Sequence, residues 1–261
     1  MFKKIIKNNF RKRIEKIKNS YELKLKEERN KFISILNHDI KTPILAQIQA
    51  LELILKSYFG KILPDQKEII SEILNSNYFL IDVISNAIFL ANYDNEKPNL
   101  NLEKLDVVEQ VENCCFLLKS LAQEKQQNII IKGNKNVKLN ADRKLMEKII
   151  INLLSSSLNY GLENTDIEVL IEESEKTVSL SAKNTSVYMS KEKINGLFED
   201  KKTQNDFNQL GMNLNLNLAK RLINAHNWDI IANSKKDNSC EFGFLVKKWL
   251  FKNHYKITIS L

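Results

Sequence analysis

FISILNHDIKTPILAQIQALELIL, residues 32–55, places apolar side chains at Phe32, Ile35, Leu36, Ile40, Ile44, Ile48, Leu51 and Leu55. Steps of three and four residues are the repeat of an amphipathic helix. Pro43 lies inside that helix, and His38, Asp39, Lys41 and Thr42 crowd the turn before it. A proline there removes a helical donor and bends the chain. At about 100° per residue, His38 points roughly 160–200° away from Leu36 and Ile40, so its imidazole is expected to face outward.

Downstream, SYFGKILPDQ offers Gly60 to end one helix and Pro64 to begin the next. The helical repeat resumes over 65–93 through Ile70, Ile73, Leu74, Ile81, Ile84 and Ile88. The prediction is two antiparallel helices joined by a short turn. Alone, such a hairpin has too little partner surface for two apolar stripes, and a second copy would complete a four-helix bundle. Residues 1–29 read as a basic helix with sparse apolar positions, a coiled-coil lead-in.

YDNEKPNLN at 93–101 is a polar linker containing Pro98. Beyond it the period keeps switching. A helix is expected from about 107 to 124, a strand at NIIIKG and a helix through DRKLMEKIIINLLSSSLNYG. A hairpin follows at DIEVLIEESEKTVSLSAKN, then a short helix at SKEKINGLF. After a polar stretch at 200–209 come a helix through LNLAKRLINAH and strands at WDIIANS and CEFGFLVKKW. The fold class is α+β: a dimeric antiparallel helical hairpin followed by an α/β sandwich, one sheet covered by helices.

Composition narrows the function. Six glycines in 261 residues are few against a usual share of about 7%, which favours long helices over glycine-rich loops. The net charge of +8 is spread over Lys and Asn without Arg/aromatic alternation. It reads as a solvated Lys/Glu surface, so no specific nucleic acid partner is expected. Cys114 and Cys115 are adjacent and Cys240 is distant, which frames no disulfide and fits a reducing cytoplasm. No run reaches the ~18 consecutive apolar residues of a membrane span, and the basic start lacks a signal peptide's apolar region. A soluble cytoplasmic protein is expected, with the alternative that its basic amphipathic start lies on an anionic bilayer.

An exposed imidazole beside a carboxylate suits nucleophilic work, because Asp39 can orient one ring N–H and raise the basicity of the other nitrogen. Thr42, one turn on, brings a hydroxyl to the same space. FISILNHDIKTP resembles the phospho-acceptor box of sensor histidine kinases: Phe, five residues, His, Asp/Glu, Ile/Leu, Arg/Lys, Thr/Ser, Pro. The resemblance covers roughly residues 30–248. It implies that 30–94 form the dimerisation and histidine phosphotransfer domain. His38 would be the phosphoryl acceptor, Asp39 the base, and Thr42 a residue associated with dephosphorylating the partner. Residues 101–249 would be the ATP-binding domain, with ATP and Mg2+ as cofactors, and 250–261 a C-terminal tail. The implied partners are a second copy, a response regulator receiver domain and, on an adaptor reading, a partner kinase.

The ATP-site motifs depart from the family's pattern. In INLLSSSLNYG, Asn152 and Tyr160 match, but Ser156 stands at the magnesium-binding Asn and Asn159 at a Lys/Arg position. A serine hydroxyl is a shorter ligand than a carboxamide, so Ser156 is a weak magnesium candidate. In the adenine-binding segment Asn184 replaces an Asp, with an amide oxygen still able to accept, and Ser186 and Tyr188 replace glycines. In LGMNLNLNLAKRL, Gly211 matches while Asn213 and Asn215 occupy glycine positions. Asn tolerates left-handed backbone, yet its side chain crowds phosphates that need close backbone approach. Weak magnesium-dependent ATP binding and little autophosphorylation are expected. That leaves either a histidine kinase passing phosphate from His38 to a regulator's Asp, or a non-catalytic phosphotransfer adaptor or scaffold.

Overall fold

The computed structural model describes residues 2–93, 99–198 and 207–248. The chain divides into two compact units, Met1–Glu96 and Lys97–Leu261.

The first unit is helical. Helix α1 (Phe2–Ser34) runs into a π-helical turn (Ile35–Ile40), and α2 (Lys41–Leu55) continues from it. Pro43 has no N–H for the Asp39 carbonyl, and its ring would clash there in a regular helix. Widening the preceding turn accommodates it: the Lys41 N–H reaches back five residues to the Leu36 carbonyl. The wide turn also corrects the expected apolar stripe. Ile40, which an unbroken helix would bury with Leu36 and Ile44, is 39% exposed. The interior is built instead from Ile44, Ile48 and Ile84, with Leu36, Leu74, Ile81 and Ile88 packed against them.

The hairpin turn uses left-handed backbone at Ser57 and at Gly60, whose φ of 119° suits glycine. Pro64 opens α3 (Pro64–Tyr93), as its fixed φ favours. Polar ties cross the hairpin, among them Tyr78 Oη to the Glu52 carboxylate and Lys41 Nζ to Ser85 Oγ. By length and composition α3 is apolar enough to cross a membrane, which the sequence reading did not anticipate. It nevertheless buries Asn77 and Asn86 and carries Asp82, polar groups that are costly in lipid.

The second unit is the expected sandwich. In chain order it contains β1 (Leu102–Asp106), α4 (Val107–Leu117), α5 (Lys119–Glu124), β2 (Asn128–Gly133), β3 (Lys138–Asp142) and α6 (Arg143–Tyr160). It continues with β4 (Asp166–Glu173), β5 (Thr177–Thr185), α7 (Lys191–Leu197), α8 (Phe207–Ala225), β6 (Asp229–Ser234) and β7 (Ser239–Lys247). The main sheet has the order β2-β4-β5-β7-β6, parallel between β2 and β4 and antiparallel elsewhere. Alternating Val169, Ile171, Val178, Leu180, Phe242 and Phe244 are buried on it, as are Met146, Ile149, Ile150 and Leu153 of α6. Removing these side chains from water is the main source of the unit's stability.

Three expectations change. Strands β1 and β3 pair antiparallel as a separate two-stranded sheet that the sequence pattern did not announce. The helix expected over 107–124 breaks at Leu118 into α4 and α5. Helix α8 begins at Phe207, so Gly211, Asn213 and Asn215 lie in helix rather than in a glycine-type loop. Residues 94–98 with Pro98, most of the 200–209 stretch and the tail from 249 lie outside the described residues.

Candidate functional site

The π-helical turn carries the phosphotransfer candidates. His38 and Asp39 have side chains 85% and 66% exposed, and His38 Nδ1 lies 3.2 Å from Asp39 Oδ1. With Nδ1–H donating to the carboxylate, Nε2 keeps its lone pair toward solvent. A nucleophile needs that arrangement. Thr42 and Pro43 are exposed on the following turn. Lys41 is drawn toward α3 by its bond to Ser85, 3.3 Å across the hairpin. This tie joins residues 44 apart, and the sequence carried no signal for it.

In the second unit, α6 is fixed at its start by Asp142, whose Oδ1 accepts from Leu145 N–H at 3.1 Å and whose Oδ2 accepts from Asn101 N–H at 2.9 Å. His226, 8% exposed, closes the same corner. Its Nδ1–H donates to the Leu222 carbonyl at 2.8 Å, and its Nε2 accepts from Asp142 N–H at 3.2 Å. Burial pushes this imidazole below its usual pKa, against smaller opposing effects of the Leu222 bond and the Asp142 charge. The ring lies tilted against Trp228, which stacks in turn on Phe244. Sequence reading passed over this clamp, since a histidine at a helix end looks like any surface residue.

The polar stretch of α6 turns inward. Asn152 Nδ2 donates to the Lys148 carbonyl at 2.6 Å. Ser156 Oγ donates to the Asn152 carbonyl at 2.6 Å, the back-bonding that serine adopts inside helices. Ser156 is wholly buried. No face of its oxygen is open, so it does not fit the role of a magnesium ligand. Asn215, 9% exposed on α8, has Nδ2 3.5 Å from Ser155 Oγ. Asn159 is half-buried. Tyr160 packs its ring 5.8 Å from that of Phe242, and burial pushes its hydroxyl up to about 12. Asn213 and Gly211 are placed only as positions on α8.

Asn184 on β5 is different. It is 3% exposed, and its Nδ2 donates to the Ser157 carbonyl at 2.6 Å, leaving Oδ1 buried with no partner. Ser157 Oγ is likewise buried without a partner. Ser186, 2% exposed, is anchored by its N–H to the Asn238 carbonyl at 2.7 Å, while Tyr188 stands 44% exposed.

A mixed five-stranded sheet backed by helices is the α/β sandwich seen in histidine kinase catalytic domains. Residues 141–249 match the family described as histidine kinase-, DNA gyrase B-, and HSP90-like ATPase. A sensor-like histidine kinase of Rhizobium meliloti is 25% identical over 213 residues, covering 78% of this chain and 40% of that protein. The sensor protein DltS of Streptococcus agalactiae is 24% identical over 208 residues, covering 79% and 51%. The chain thus spans about half or less of these relatives. Among solved structures, full-length ShkA in complex with AMPPNP superposes with a TM-score of 0.62 at 17% identity, over 83% of this chain and 45% of that one. Histidine kinase ThkA in complex with the response regulator protein TrrA gives 0.56 at 17%, over 87% and 66%. Over most of its length the chain is thus similar to sensor histidine kinases.

Proposed function

We propose that this protein is a cytoplasmic two-component phosphocarrier whose phosphoryl group resides on His38. The single observation that carries the reading is the exposed imidazole on the π-helical turn, with Nδ1 held by Asp39 and Nε2 free to react. In the step, the Nε2 lone pair attacks phosphorus, the N–P bond forms, and the bond from phosphorus to the donor's leaving oxygen breaks. The Nδ1 proton moves toward Asp39 as the ring becomes cationic. The reverse step delivers phosphate to the Asp of a response regulator receiver domain, for which the ThkA–TrrA complex is the precedent.

Exposed apolar side chains at Phe32, Ile35, Leu45, Leu53, Ile69, Ile73 and Leu80 support pairing with a second copy into a four-helix bundle. Sedimentation at micromolar concentration should give a dimer. We take the second unit to bind Mg2+-ATP weakly, so that phosphate reaches His38 chiefly from a phosphorylated partner. The Ser156 geometry and the missing cation at Asn159 favour this.

The test is phosphotransfer from a purified, phosphorylated receiver domain, or from a partner histidine kinase with ATP. Acid-labile, base-stable label on the unmodified chain, abolished in His38→Gln, is expected. Label that persists in His38→Gln would refute the assignment.

A further inference from the structure

The main sheet of the second unit has two outer strands, β2 and β6. Among the described residues β2 pairs with β4 and with no other strand, so alternate residues of β2 turn their N–H and C=O groups outward. Such an edge recruits a further strand unless proline, a bulge or charge blunts it. The edge reads NIIIKG, and its one charge, Lys132, is drawn onto β4 by Glu168. Apolar surface lies beside it. Ile130 is 37% exposed on β2, and α5, which packs against β2, follows a break where Phe116 and Leu117 are 77% and 60% exposed.

The point at which the chain leaves the sheet is fixed nearby. The Lys248 N–H donates to the Lys176 carbonyl at 2.8 Å, and Lys248 Nζ lies 2.7 Å from Glu173 Oε1. Asn134, the residue after β2, accepts from the Glu173 N–H at 2.9 Å and donates its own N–H to the Ile171 carbonyl at 2.8 Å. The ends of β7 and β2 thus meet at one residue of β4, Glu173. Residues 249–261 lie beyond the described set, and their sequence carries a pattern that phosphotransfer does not use. In HYKITISL (254–261), Tyr255, Ile257, Ile259 and Leu261 alternate with Lys256, Thr258 and Ser260. A period of two in aromatic and β-branched residues is the signature of a strand with one buried face.

We propose that segment 255–261 of this same chain docks on the outer edge of β2 as a sixth, antiparallel strand of the main sheet. Direction, reach and alternation agree. Strands β2 and β7 run the same way, since β2 is parallel to β4, and β4 and β7 are both antiparallel to β5. A segment turning back after β7 therefore lies antiparallel to β2, the more stable pairing, but parallel to β6, against which α7 already packs. From β7 past β5, β4 and β2 to the new position is four strand spacings, about 19 Å at about 4.8 Å each. Residues 249–254 span about 20 Å when extended. Ile129 and Ile131 are register partners of the buried Ile167 and Val169, so they share the helix-covered face. Tyr255, Ile257, Ile259 and Leu261 take that face too, and a one-residue slip is disfavoured because it would turn all four to solvent. Docked there, the segment closes an edge that is otherwise open to other chains. The inference is independent of phosphate on His38.

The experiment is amide exchange, resolved by residue, on the full chain, on the double variant Ile257→Pro with Ile259→Pro, and on a chain lacking 250–261. In the unmodified protein the outward amides of β2 should exchange at least about tenfold more slowly than in either variant, as the loss of ladder hydrogen bonds dictates. Alternate amides of 255–261 should be protected with them, and those of β6 should be the same in all three proteins. Amides of 255–261 exchanging as fast as in a free peptide would overturn the proposal. So would protection that the variants lose from β6 and not from β2. Refolding an isotope-labelled chain lacking 250–261 with an excess of unlabelled full chain separates the chain's own segment from that of a second copy. The labelled β2 should stay unprotected, and protection regained there would overturn the assignment to the same chain. Circular dichroism checks that the variants fold; if neither does, exchange at 255–261 in the unmodified chain decides alone.

Discussion

The His38 turn and the α6–α8 seam use similar residue types in opposite ways. At the turn, His38, Asp39 and Thr42 stand in solvent, and the His38–Asp39 contact orients the first two. In the seam, Asn152, Ser156, Ser157 and Asn215 are buried, and Asn152 and Ser156 bond to the carbonyls of their own helix. Exposure is inexpensive for an ionisable nucleophile, whereas a buried polar group must be satisfied or costs stability. A site that meets its partners from outside can therefore keep its reactive atoms open. Where polar side chains satisfy one another inside the fold, fewer atoms are left for a ligand. The unpartnered Asn184 oxygen and Ser157 hydroxyl are the exception.

The sharpest way to break this contrast is to unsettle one region and ask whether the other notices. Leu153 lies at zero exposure on α6, and Leu153→Ala should destabilise the second unit by about 2–5 kcal/mol through lost burial and a cavity. Under an outside-donor mechanism, His38 should still take label from a phosphorylated receiver domain at a temperature where the variant's second unit has melted. Label lost in step with that melting, followed by circular dichroism, would mean that the two regions act as one.

Pro43→Ala probes the open side. It restores the N–H that the Asp39 carbonyl lacks, and a proline in a helix interior costs about 3 kcal/mol or more. The hairpin should gain a part of that, read as a higher denaturant midpoint. Amide exchange over residues 39–42 should slow as the π-helical turn tightens. Labelling of His38 should fall, because tightening the wide turn shifts the register of His38 relative to α2. Faster labelling would show that the turn is incidental to the chemistry.

Ser156→Asn probes the closed side. A larger side chain in a fully buried position should cost about 1–3 kcal/mol, visible as a lower midpoint. Affinity for ATP with Mg2+ should not rise. A gain in magnesium-dependent binding would show that the seam opens for a metal.

How much of this was legible beforehand differs between the same two regions. The hairpin, its turn at Gly60 and Pro64, and the polar cluster at His38 follow from a clear helical period and a local motif. The π-helical turn followed less directly: Pro43 announced a bend, but only the long bond from Lys41 to Leu36 sets how the register shifts and why Ile40 leaves the interior. In the second unit the long strands and α6 were readable from alternation and period. Strands β1 and β3 were not, because LEKLD and KLNAD hold no pattern of their own and exist as strands by pairing with each other. The start of α8 was obscured by reading Gly211 and its neighbours as a loop. The Asn184–Ser157 and His226–Asp142 contacts join residues 27 and 84 apart, and nothing local encodes them.

The smallest expected effect lies at His226. Folded, the imidazole is neutral, donating to Leu222 and accepting from Asp142 N–H, and burial lowers its pKa from the usual 6.5. The unfolded chain therefore takes up a proton first as pH falls. The stabilising contribution is complete above about pH 6.5 and is lost progressively below it, until the lowered folded-state pKa is reached. Protonation of the folded form would also turn Nε2 from acceptor to donor, setting it against the Asp142 N–H. The denaturant midpoint of the second unit should drift downward between pH 7 and pH 5. Most of that drift should vanish in His226→Gln, which cannot titrate yet retains an acceptor and a donor. Because the same corner holds the start of α6 and the end of α8, a drift unchanged by His226→Gln would shift attention to the carboxylates around it. A variant with no drift but a large loss at pH 8 would show that the clamp matters for its geometry and not for its proton.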